Sequence, residues 1–392
     1  MKLMSLFDGS GGFPLAASLC GIEPVYAAEV EPYPIAVTNN RFPKMKHLGD
    51  VSKVKGGEIE PVDIITFGRP CQDMSIAGKR AGLKHADIGD EETTRSGLFL
   101  EAIRIIKEMR EATNGGYPRY AVWENVPGAF SSNKGEDFRT VLDEFIKIVE
   151  KDAVMPDVPK AGWPYADCYS GNGWSLAYRV FDAQYWGVPQ RRRRIYLVAD
   201  FRGQRAGEIL LKPEGLRRIS AQSGTQGQET ARCAKNSVGT AIGGVDRYNQ
   251  SFLPGLAQTL RAPGGGDCTP TVLAPVGKEK TVAVPVHYIV RRLTPTECAR
   301  LQGFPDLWGY LDKKESFTDE EYKFWLEVRN TYARINNKAV KDYTKAQMLS
   351  WYNKLHSDSA EYKMWGNGIA LPNALYVMQG IAAEAEIPIN LF

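Results

Sequence analysis

Cys71 is the first residue in this sequence whose type and position suggest chemistry. It follows an apolar run at 63–67, which is typical of a buried strand, and it lies in the turn-forming sequence Gly-Arg-Pro-Cys-Gln. Open α/β sheets place their active sites at the carboxyl ends of strands, and a thiolate is the strongest nucleophile among protein side chains. A lone cysteine is more often a small buried apolar residue, so position alone leaves both interpretations open.

Glu124 follows another apolar run, at 120–123, and therefore also lies at a predicted strand end. A carboxyl group whose pKa is raised by partial burial can act as a general acid near neutral pH. A helix cap or a surface acid is the alternative explanation for the same residue. The sequence Glu-Asn-Val alone does not choose between these roles.

Four consecutive arginines occupy 191–194, after Gln190 and at the start of a predicted strand that reaches residue 199. Alternate side chains share a face in a strand, so Arg192 and Arg194 are predicted to point together into a cleft. A solvated basic run explains each arginine equally well when it is considered singly.

A glycine-rich turn follows the first predicted strand. The apolar run at 2–7 leads into Asp-Gly-Ser-Gly-Gly at 8–12, a helix-like segment covers 13–20, and a second apolar run at 24–28 ends in Glu29. Glycines let the backbone approach a ligand closely, and an acid after the second strand can accept hydrogen bonds from ribose hydroxyls. The Gly-x-Gly-x-x-Gly spacing that cradles a pyrophosphate is absent, which favours a cofactor without phosphates.

The elements that would position these residues follow from the pattern along the chain. Strand and helix patterns alternate through the first 200 residues, including a helical pattern at 98–109, and this alternation predicts a doubly wound α/β sheet. From 203 to 280 the sequence is rich in Gly, Ser, Thr, Gln and Pro, which indicates a loop-rich module of short strands. Residues 315–362 are charged and aromatic with helical spacing, which predicts two or three helices.

Composition excludes several classes of protein. The chain has 392 residues, of which 43% are hydrophobic and 24% are charged, so neither a small stapled scaffold nor a disordered chain is favoured. Its 6 cysteines form no Cys-x-x-Cys pair and it has only 4 histidines, which disfavours a disulfide framework and a zinc site. Because no run of about 18 apolar residues occurs, a membrane span has no support, and a cytoplasmic location is expected.

Charge is unevenly distributed along the chain. The formal net charge is +3, yet residues 201–300 hold 14 basic and 7 acidic residues. A basic segment on a near-neutral body is suited to nucleic acid, because phosphate contacts supply most of the non-specific affinity. A solvated surface with scattered arginines is the alternative.

The order and spacing of these motifs resemble the DNA cytosine-5 methyltransferases. The sequences at 7–12, 70–72, 124–126 and 190–194 are similar to this family's cofactor loop, its Pro-Cys-Gln and Glu-Asn-Val motifs and its Gln-x-Arg-x-Arg motif. Arg-Leu-Thr-Pro-Thr-Glu-Cys at 292–298, with the sequence through 305, resembles the penultimate motif, and Gly-Asn at 366–367 resembles the last.

The resemblance implies a mechanism that the residues alone leave open. Cys71 would attack C6 of a cytosine, Glu124 would bind or protonate N3, and C5 would take the methyl group of S-adenosylmethionine. The cytosine would be flipped out of the duplex to reach Cys71. Arg194 would hold Glu124 and the base, with Arg192 nearby.

The resemblance also implies binding residues. In the cofactor site Phe7 would stack near the adenine, Glu29 would hold the ribose and Asp50 would bind the adenine amino group. The remaining implied cofactor residues are Asp8, Gly9, Gly11, Val30, Val51, Leu98 and Asn367. The implied substrate-binding residues are Gln72, Ser75, Gln190, Thr259 and Leu260.

The implied domain organisation separates chemistry from sequence recognition. Residues 1–200 with 363–392 would form the catalytic and cofactor-binding domain, and 201–290 would form a target recognition domain that reads bases in the major groove. Residues 291–314 would link the domains, and 315–362 would be a helical insertion. The expected partner is double-stranded DNA, bound by a monomer, with a cognate restriction endonuclease as a possible companion.

Three alternatives stay open at this point. One tRNA-directed branch of cytosine-5 methyltransferases shares Pro-Cys-Gln, although the module at 203–280 favours duplex DNA because that branch has a shorter insert. Amino methyltransferases acting on adenine N6 or cytosine N4 are disfavoured, since no Asp/Asn-Pro-Pro-Tyr sequence occurs. A catalytically silent DNA-binding protein would be expected to have lost Cys71 or Glu124, and both are present.

Overall fold

A mixed sheet of eight strands organises the described part of the chain, in the order β3-β2-β1-β4-β5-β8-β7-β6. The computed structural model describes residues 1–68, 95–211, 243–246, 251–254, 271–276 and 287–384. The strands are β1 Lys2–Leu6, β2 Glu23–Ala28, β3 Lys46–His47, β4 Ile64–Gly68, β5 Tyr120–Asn125, β6 Ala166–Gly171, β7 Trp174–Asp182 and β8 Arg193–Asp200. Strands β1 to β5 are parallel to one another, whereas β8, β7 and β6 add to the sheet in antiparallel fashion.

Helices cover both faces of this sheet. Those described are α1 Gly12–Leu19, α2 Pro32–Arg41, α3 Arg95–Ala112, α4 Glu136–Ile146, α5 Ala206–Leu211, α6 Pro295–Leu301, α7 Asp319–Ile335, α8 Lys345–Tyr352, α9 Asp358–Asn367 and α10 Leu371–Glu384. Residues of α3 and α4 pack in one hydrophobic cluster, and residues of α1, α2, α5 and α10 pack in another. The doubly wound α/β prediction is therefore confirmed.

Period-two alternation in the central strands builds the two clusters. In β5, Tyr120 and Val122 belong to the cluster on one face, and Ala121 and Trp123 belong to the cluster on the other. All four residues are 0–1% exposed, because a sheet between two helical layers buries both of its faces.

A second, antiparallel sheet has three strands within 203–280, the region predicted to contain short strands, and a fourth strand after it. Its strands are β9 Gly243–Asp246, β10 Ser251–Pro254, β11 Thr271–Val276 and β12 His287–Arg292, in the order β10-β9-β11-β12. Thr259 and Leu260 lie outside the described residues, as do Cys71, Gln72 and Ser75.

Helices α7 and α8 lie within 315–362, and each begins with a capping box. The Thr318 hydroxyl accepts from the backbone of Glu321 while the Glu321 carboxylate accepts from the backbone of Thr318, and Thr344 and Gln347 do the same for α8. The ring of Trp325 lies 4.8 Å from that of Tyr352, which packs the two helices together. In the part of the chain that the structure describes, no helix is long and apolar enough to cross a membrane.

Candidate active site

The carboxyl ends of β1, β2, β4 and β5 meet at one edge of the sheet. The chain moves from β1 to β2 on one side and to β4 on the other, so the strand order reverses there. Such a switch point opens a crevice outside the strand ends, where ligands bind in doubly wound folds. Phe7 and Glu29 directly follow β1 and β2, and Glu124 is the penultimate residue of β5, so all three lie at this edge.

The glycine-rich loop after β1 adopts left-handed backbone conformations. Phe7, Gly9 and Gly11 have φ values of 55°, 53° and 75°. The strained Phe7 is held in place because its N–H donates to the carbonyl of Ala28 at 2.7 Å. A Cβ on Gly11 would lie 2.8 Å from Cγ2 of Thr38, so only glycine fits this position without movement of α2.

Glu29 is oriented by three backbone donors. Its carboxylate accepts from the N–H groups of Gly9 at 2.8 Å, Val30 at 2.8 Å and Glu31 at 2.9 Å. Burial raises the pKa of Glu29, and these hydrogen bonds oppose the increase. The carboxylate therefore joins the glycine-rich loop to the end of β2 and keeps lone pairs for a hydroxyl-bearing ligand.

Asp8 is a buried carboxyl group beside that loop. It is 8% exposed, and its carboxylate oxygens make no hydrogen bond of normal geometry among the described residues. Burial raises the pKa of Asp8 to about 8; the Ser5 hydroxyl opposes this increase, and the nearby charge of Glu29 adds to it. An acceptor buried in this way is costly unless a ligand satisfies it.

The remaining cofactor candidates surround the same strand ends. Asp50 caps a 3₁₀ turn, with its Oδ1 accepting from the N–H of Ser52 at 3.0 Å. Val51 is buried in the hydrophobic cluster against which Phe7 and Leu98 pack. The structure thus brings these three apolar side chains to the same face of the sheet.

Glu124 forms a buried ion pair at the end of β5. Its Oε1 lies 3.0 Å from Nε of Arg194, and the two side chains are 5% and 9% exposed. Burial raises the pKa of Glu124, while the charges of Arg194 and Arg192 lower it, and the net shift is upward. A Cβ on Gly68, at the end of β4, would lie 3.3 Å from Oε2 of Glu124, so the two strand ends are in close contact.

The four arginines at 191–194 alternate between exposed and buried positions, as the sequence predicts. Arg192 and Arg194 are 1% and 8% exposed, whereas Arg191 and Arg193 are exposed. Gln190 is completely buried in the turn that precedes β8.

Arg192 contacts the end of α9 and the residue that follows it. Its Nη2 donates to the carbonyl oxygens of Gly366, at 3.2 Å, and Gly368. Asn367 lies between these two carbonyls, and a Cβ on Gly368 would lie 2.8 Å from Oγ of Ser10 in the glycine-rich loop. Arg192 therefore connects β8 to the turn that packs against the loop, a contact between distant segments that the sequence pattern does not reveal.

Sequence reasoning also missed the cleft beside Glu29 and Asp50. One wall of this cleft is a face of α7 that includes Phe324 and Val328. The helical, aromatic pattern of 315–362 indicated helices, but nothing in it indicated which part of the sheet they cover.

A sequence profile and individual relatives agree with this architecture. The profile of the C-5 cytosine-specific DNA methylases matches residues 1–149 and 216–324. The DNA N-6-adenine-methyltransferase of Escherichia phage P1 is 27% identical across 94% of this chain, which spans 59% of that relative's length. The type II methyltransferase M.HhaI of Haemophilus parahaemolyticus is 28% identical across 82% of this chain and 88% of its own.

A solved structure shows the same fold. The Dnmt2 methyltransferase of S. pombe superposes with a TM-score of 0.57 at 16% identity, covering 98% of this chain and 99% of that one. The profile match extends over more than half of the sequence and includes the glycine-rich loop and the strand that carries Glu124. The chain belongs to the family of C-5 cytosine-specific DNA methylases.

Proposed function

We propose that this protein transfers a methyl group to C5 of cytosine within a specific sequence of duplex DNA. The observation that carries the proposal is the buried pair of Glu124 and Arg194, in contact with the end of β4. Cys71 follows Gly68 by three residues, and three residues span at most about 11 Å. A nucleophile and an acid therefore belong to neighbouring strand ends.

S-adenosylmethionine is the methyl donor of this family, and the described residues fit it. The orphaned carboxylate of Asp8 offers the ligand's ammonium group a counter-charge, and the fixed carboxylate of Glu29 offers its ribose two acceptor sites. Asp50 keeps Oδ2 for the adenine amino group, because Oδ1 is used by Ser52. The bound cofactor supplies an electrophilic methyl group at the strand ends.

Glu124 and Cys71 act on opposite sides of the cytosine ring in this proposal. The Cys71 thiolate bonds to C6 as the Glu124 proton moves to N3, and the displaced electron pair makes C5 nucleophilic. After C5 has accepted the methyl group, a water molecule takes the C5 proton, the C5–H electron pair forms the C5=C6 double bond, and the C6–S bond breaks to release the thiolate. N3 returns its proton to Glu124. The raised pKa of Glu124 suits it to the donor role.

Arg194 and Arg192 have different tasks in this scheme. Arg194, 3.0 Å from the Glu124 carboxylate, orients it and faces the base. Arg192 positions the segment around Asn367 through the carbonyls of Gly366 and Gly368. Because these groups lie in a sheet-edge crevice, the cytosine must leave the base stack to reach them.

Recognition and chemistry are assigned to different segments. Gln72, Ser75 and Gln190 would bind the flipped cytosine or its backbone, while residues 201–290, with Thr259 and Leu260, would read the sequence. The separation is reasonable because base readout needs side chains that match one sequence, whereas the chemistry needs one flipped base. A monomer and a cognate restriction endonuclease remain part of this proposal.

Adenine N6 is the second candidate target, because the phage P1 relative carries that activity in its name. The profile that matches this chain is specific for cytosine C5, and the chain has no Asp/Asn-Pro-Pro-Tyr sequence. Cytosine is therefore the target that we propose.

Nucleoside mass spectrometry tests this choice. DNA and tRNA from methylation-deficient cells that express the protein are digested, and both methylated nucleosides are quantified. We expect 5-methylcytosine in DNA only. N6-methyladenine without 5-methylcytosine, or 5-methylcytosine confined to tRNA, would contradict the proposal.

A further inference from the structure

Two exposed cations lie at the sheet edge that carries Glu124. Arg193 is the first residue of β8, and it faces the α4 side of the sheet because it alternates with Arg194, which faces Glu124 on the other side. Lys134 lies between β5, which carries Glu124, and α4. Among the described residues, no carboxylate forms an ion pair with Arg193 or Lys134. Neither charge is therefore neutralised within this part of the structure.

Tyr165 holds the Arg193 side chain without neutralising it. The guanidinium carbon of Arg193 lies 4.7 Å from the centre of the Tyr165 ring. Tyr165 is 62% exposed, and its backbone carbonyl accepts from the N–H of Val180 at 2.8 Å, which fixes the residue beside β7. A guanidinium that lies on an aromatic face still presents the N–H groups of its edge to an anion.

The carboxylate opposite Arg193 has other partners. Asp182 is paired with Arg193 in the register of β7 and β8. Its Oδ1 accepts from the N–H of Arg192 at 3.0 Å, and its Oδ2 accepts from the side-chain amide of Gln184 at 2.8 Å. Because these bonds occupy the carboxylate, the neighbouring strand supplies no compensating charge to Arg193.

Lys134 is presented on the same side of the sheet by a turn with an unusual backbone. Asn133 and Lys134 have φ values of 47° and 58°, in the left-handed region that residues with a side chain rarely adopt. The next residue, Gly135, is fixed because its carbonyl accepts from the indole N–H of Trp163 at 2.9 Å. Trp163 precedes Tyr165 by two residues, so this bond holds the turn beside the segment that carries Tyr165. Such backbone persists only where the surrounding structure holds it.

We propose that Arg193, Tyr165 and Lys134 form a phosphate patch, which holds the backbone of the target duplex beside the catalytic crevice. This inference rests on the proposed function, because it takes duplex DNA as the substrate, and it adds where the DNA backbone lies. A flipped cytosine stays joined to its sugar and phosphates, so a base that reaches Glu124 brings phosphates to the strand ends. Contacts to phosphates position a duplex without reading its sequence, so the patch would serve any target site.

The salt dependence of DNA binding tests the patch. Each phosphate that a protein neutralises contributes about −0.9 to the slope of log K against log salt concentration. Binding of a labelled duplex of mixed sequence is measured by fluorescence anisotropy at several salt concentrations, with saturating S-adenosylhomocysteine. We expect Arg193→Ala and Lys134→Ala each to bind severalfold more weakly and to make the slope shallower by about one. Arg193→Lys, which keeps the charge, should keep the wild-type slope.

Tyr165 should act by positioning Arg193. Tyr165→Ala should therefore weaken binding, and Tyr165→Phe, which keeps the ring, should bind as wild type does. In a protein that already carries Arg193→Ala, Tyr165→Ala should cause no further loss, because the side chain that it positions is gone. An equal loss with and without Arg193 would overturn this positioning role.

Lys338→Ala is the matched control, because Lys338 is also an exposed cation over a tyrosine. Its Nζ lies 5.8 Å from the ring centre of Tyr332. Lys338 follows α7, whose Phe324 ring lies 6.3 Å from His47 in β3, the strand of the larger sheet farthest from β8. Lys338→Ala should keep the wild-type slope and bind within about twofold of wild type. Circular dichroism and binding of S-adenosylhomocysteine confirm that each variant is folded.

The possible results separate the two proposals. A wild-type slope in both Arg193→Ala and Lys134→Ala would overturn the phosphate patch while leaving the proposed function intact, and so would an equal change of slope in Lys338→Ala. Failure of the wild-type protein to bind duplex DNA at low salt would overturn the proposed function, and this inference with it.

Discussion

Glu124 experiences opposing influences that leave its pKa raised. Burial favours the neutral carboxyl group, and the positive charges of Arg194 and Arg192 favour the carboxylate. The net upward shift means that the acid keeps its proton to a higher pH than an exposed glutamate does. Catalysis that needs this proton therefore declines as the pH rises through the Glu124 pKa.

Replacing Glu124 by Gln should slow methyl transfer while preserving binding. The amide keeps a polar contact to the base but has no acidic proton to donate, and general acid–base steps contribute ~10²–10⁴-fold. Single-turnover methylation across pH measures the effect, and thermal unfolding controls for stability. The alkaline decline seen in wild type should be absent in the variant. A variant rate within threefold of wild type would make Glu124 a structural residue.

The raised pKa of Asp8 predicts that the protein releases a proton when it binds the cofactor. Because its pKa is raised to about 8, the free protein holds this carboxyl group mostly neutral at pH 7. Pairing with an ammonium group stabilises the ionised form, so binding should release about one proton at that pH. Calorimetry of S-adenosylhomocysteine binding in buffers of different ionisation enthalpy counts the protons.

Asp8→Asn is the matched control, since an amide cannot titrate. The variant should release about one proton fewer than wild type and should bind more weakly. Equal proton release by the two proteins would show that Asp8 does not change its ionisation on binding.

At the level of the elements, the glycine-rich loop between β1 and α1 depends on close packing against α2. Gly11 combines a φ of +75° with a position at which a Cβ would lie 2.8 Å from Cγ2 of Thr38. Thr38 cannot turn away without cost, because its hydroxyl donates to the carbonyl of Pro34 at 3.0 Å. An alanine here meets both backbone strain and a fixed neighbour.

Gly11→Ala should therefore lower the free energy of unfolding more than Gly162→Ala does. Gly162 has a similar φ of +80° but nothing within 4 Å of an added Cβ, so it reports backbone strain alone, about 1–2 kcal/mol. Crowding should add about 1–3 kcal/mol at Gly11. Denaturant unfolding of both variants measures the difference, and equal losses would mean that the loop and α2 adjust to each other.

Which elements could be predicted depended on how strongly each is buried. The parallel strands β1, β4 and β5 show as apolar runs because both of their faces are covered, and their predicted bounds agree with the structure to within two residues. The hairpin of β6 and β7 was not predicted. Strand β6 lies at the edge of the sheet with every second residue exposed, and its polar composition gave no strand signal.

For the molecule as a whole, the order of the motifs along the chain predicts which residues meet better than the number of residues between the motifs does. The motifs around Glu124 and Arg194 are about 70 residues apart in the chain, and only their place in a family-like order suggested that they meet. Their buried contact at 3.0 Å agrees with that expectation. The orphaned carboxylate of Asp8 and the cleft against α7 depend on packing between distant segments, which no local pattern encodes.

If one segment recognises the DNA sequence and another performs the chemistry, exchanging the recognition segment should change only the sequence that is methylated. Residues 201–290 include strands β9 to β11 and hold 11 basic and 6 acidic residues, whereas Glu124 and Arg194 lie in the larger sheet and Glu29 directly follows its strand β2. Replacing 201–290 by the matching segment of a relative with another target should transfer that relative's sequence specificity. Sequencing of bisulfite-treated DNA identifies the methylated site. A folded, active chimera that still methylates the original site would place recognition elsewhere.

The most direct test of the central claim is covalent trapping on DNA that contains 5-fluorocytosine. A long duplex, copied with 5-fluorocytosine in place of cytosine, includes the target whatever its sequence, and fluorine at C5 cannot leave as a proton does. With S-adenosylmethionine present, the wild-type protein should form a complex with DNA that survives denaturing electrophoresis. Cys71→Ser, folded and still able to bind S-adenosylhomocysteine, should form none, because a hydroxyl is far less nucleophilic than a thiolate. No complex with wild type, or an equal amount with Cys71→Ser, would contradict the account.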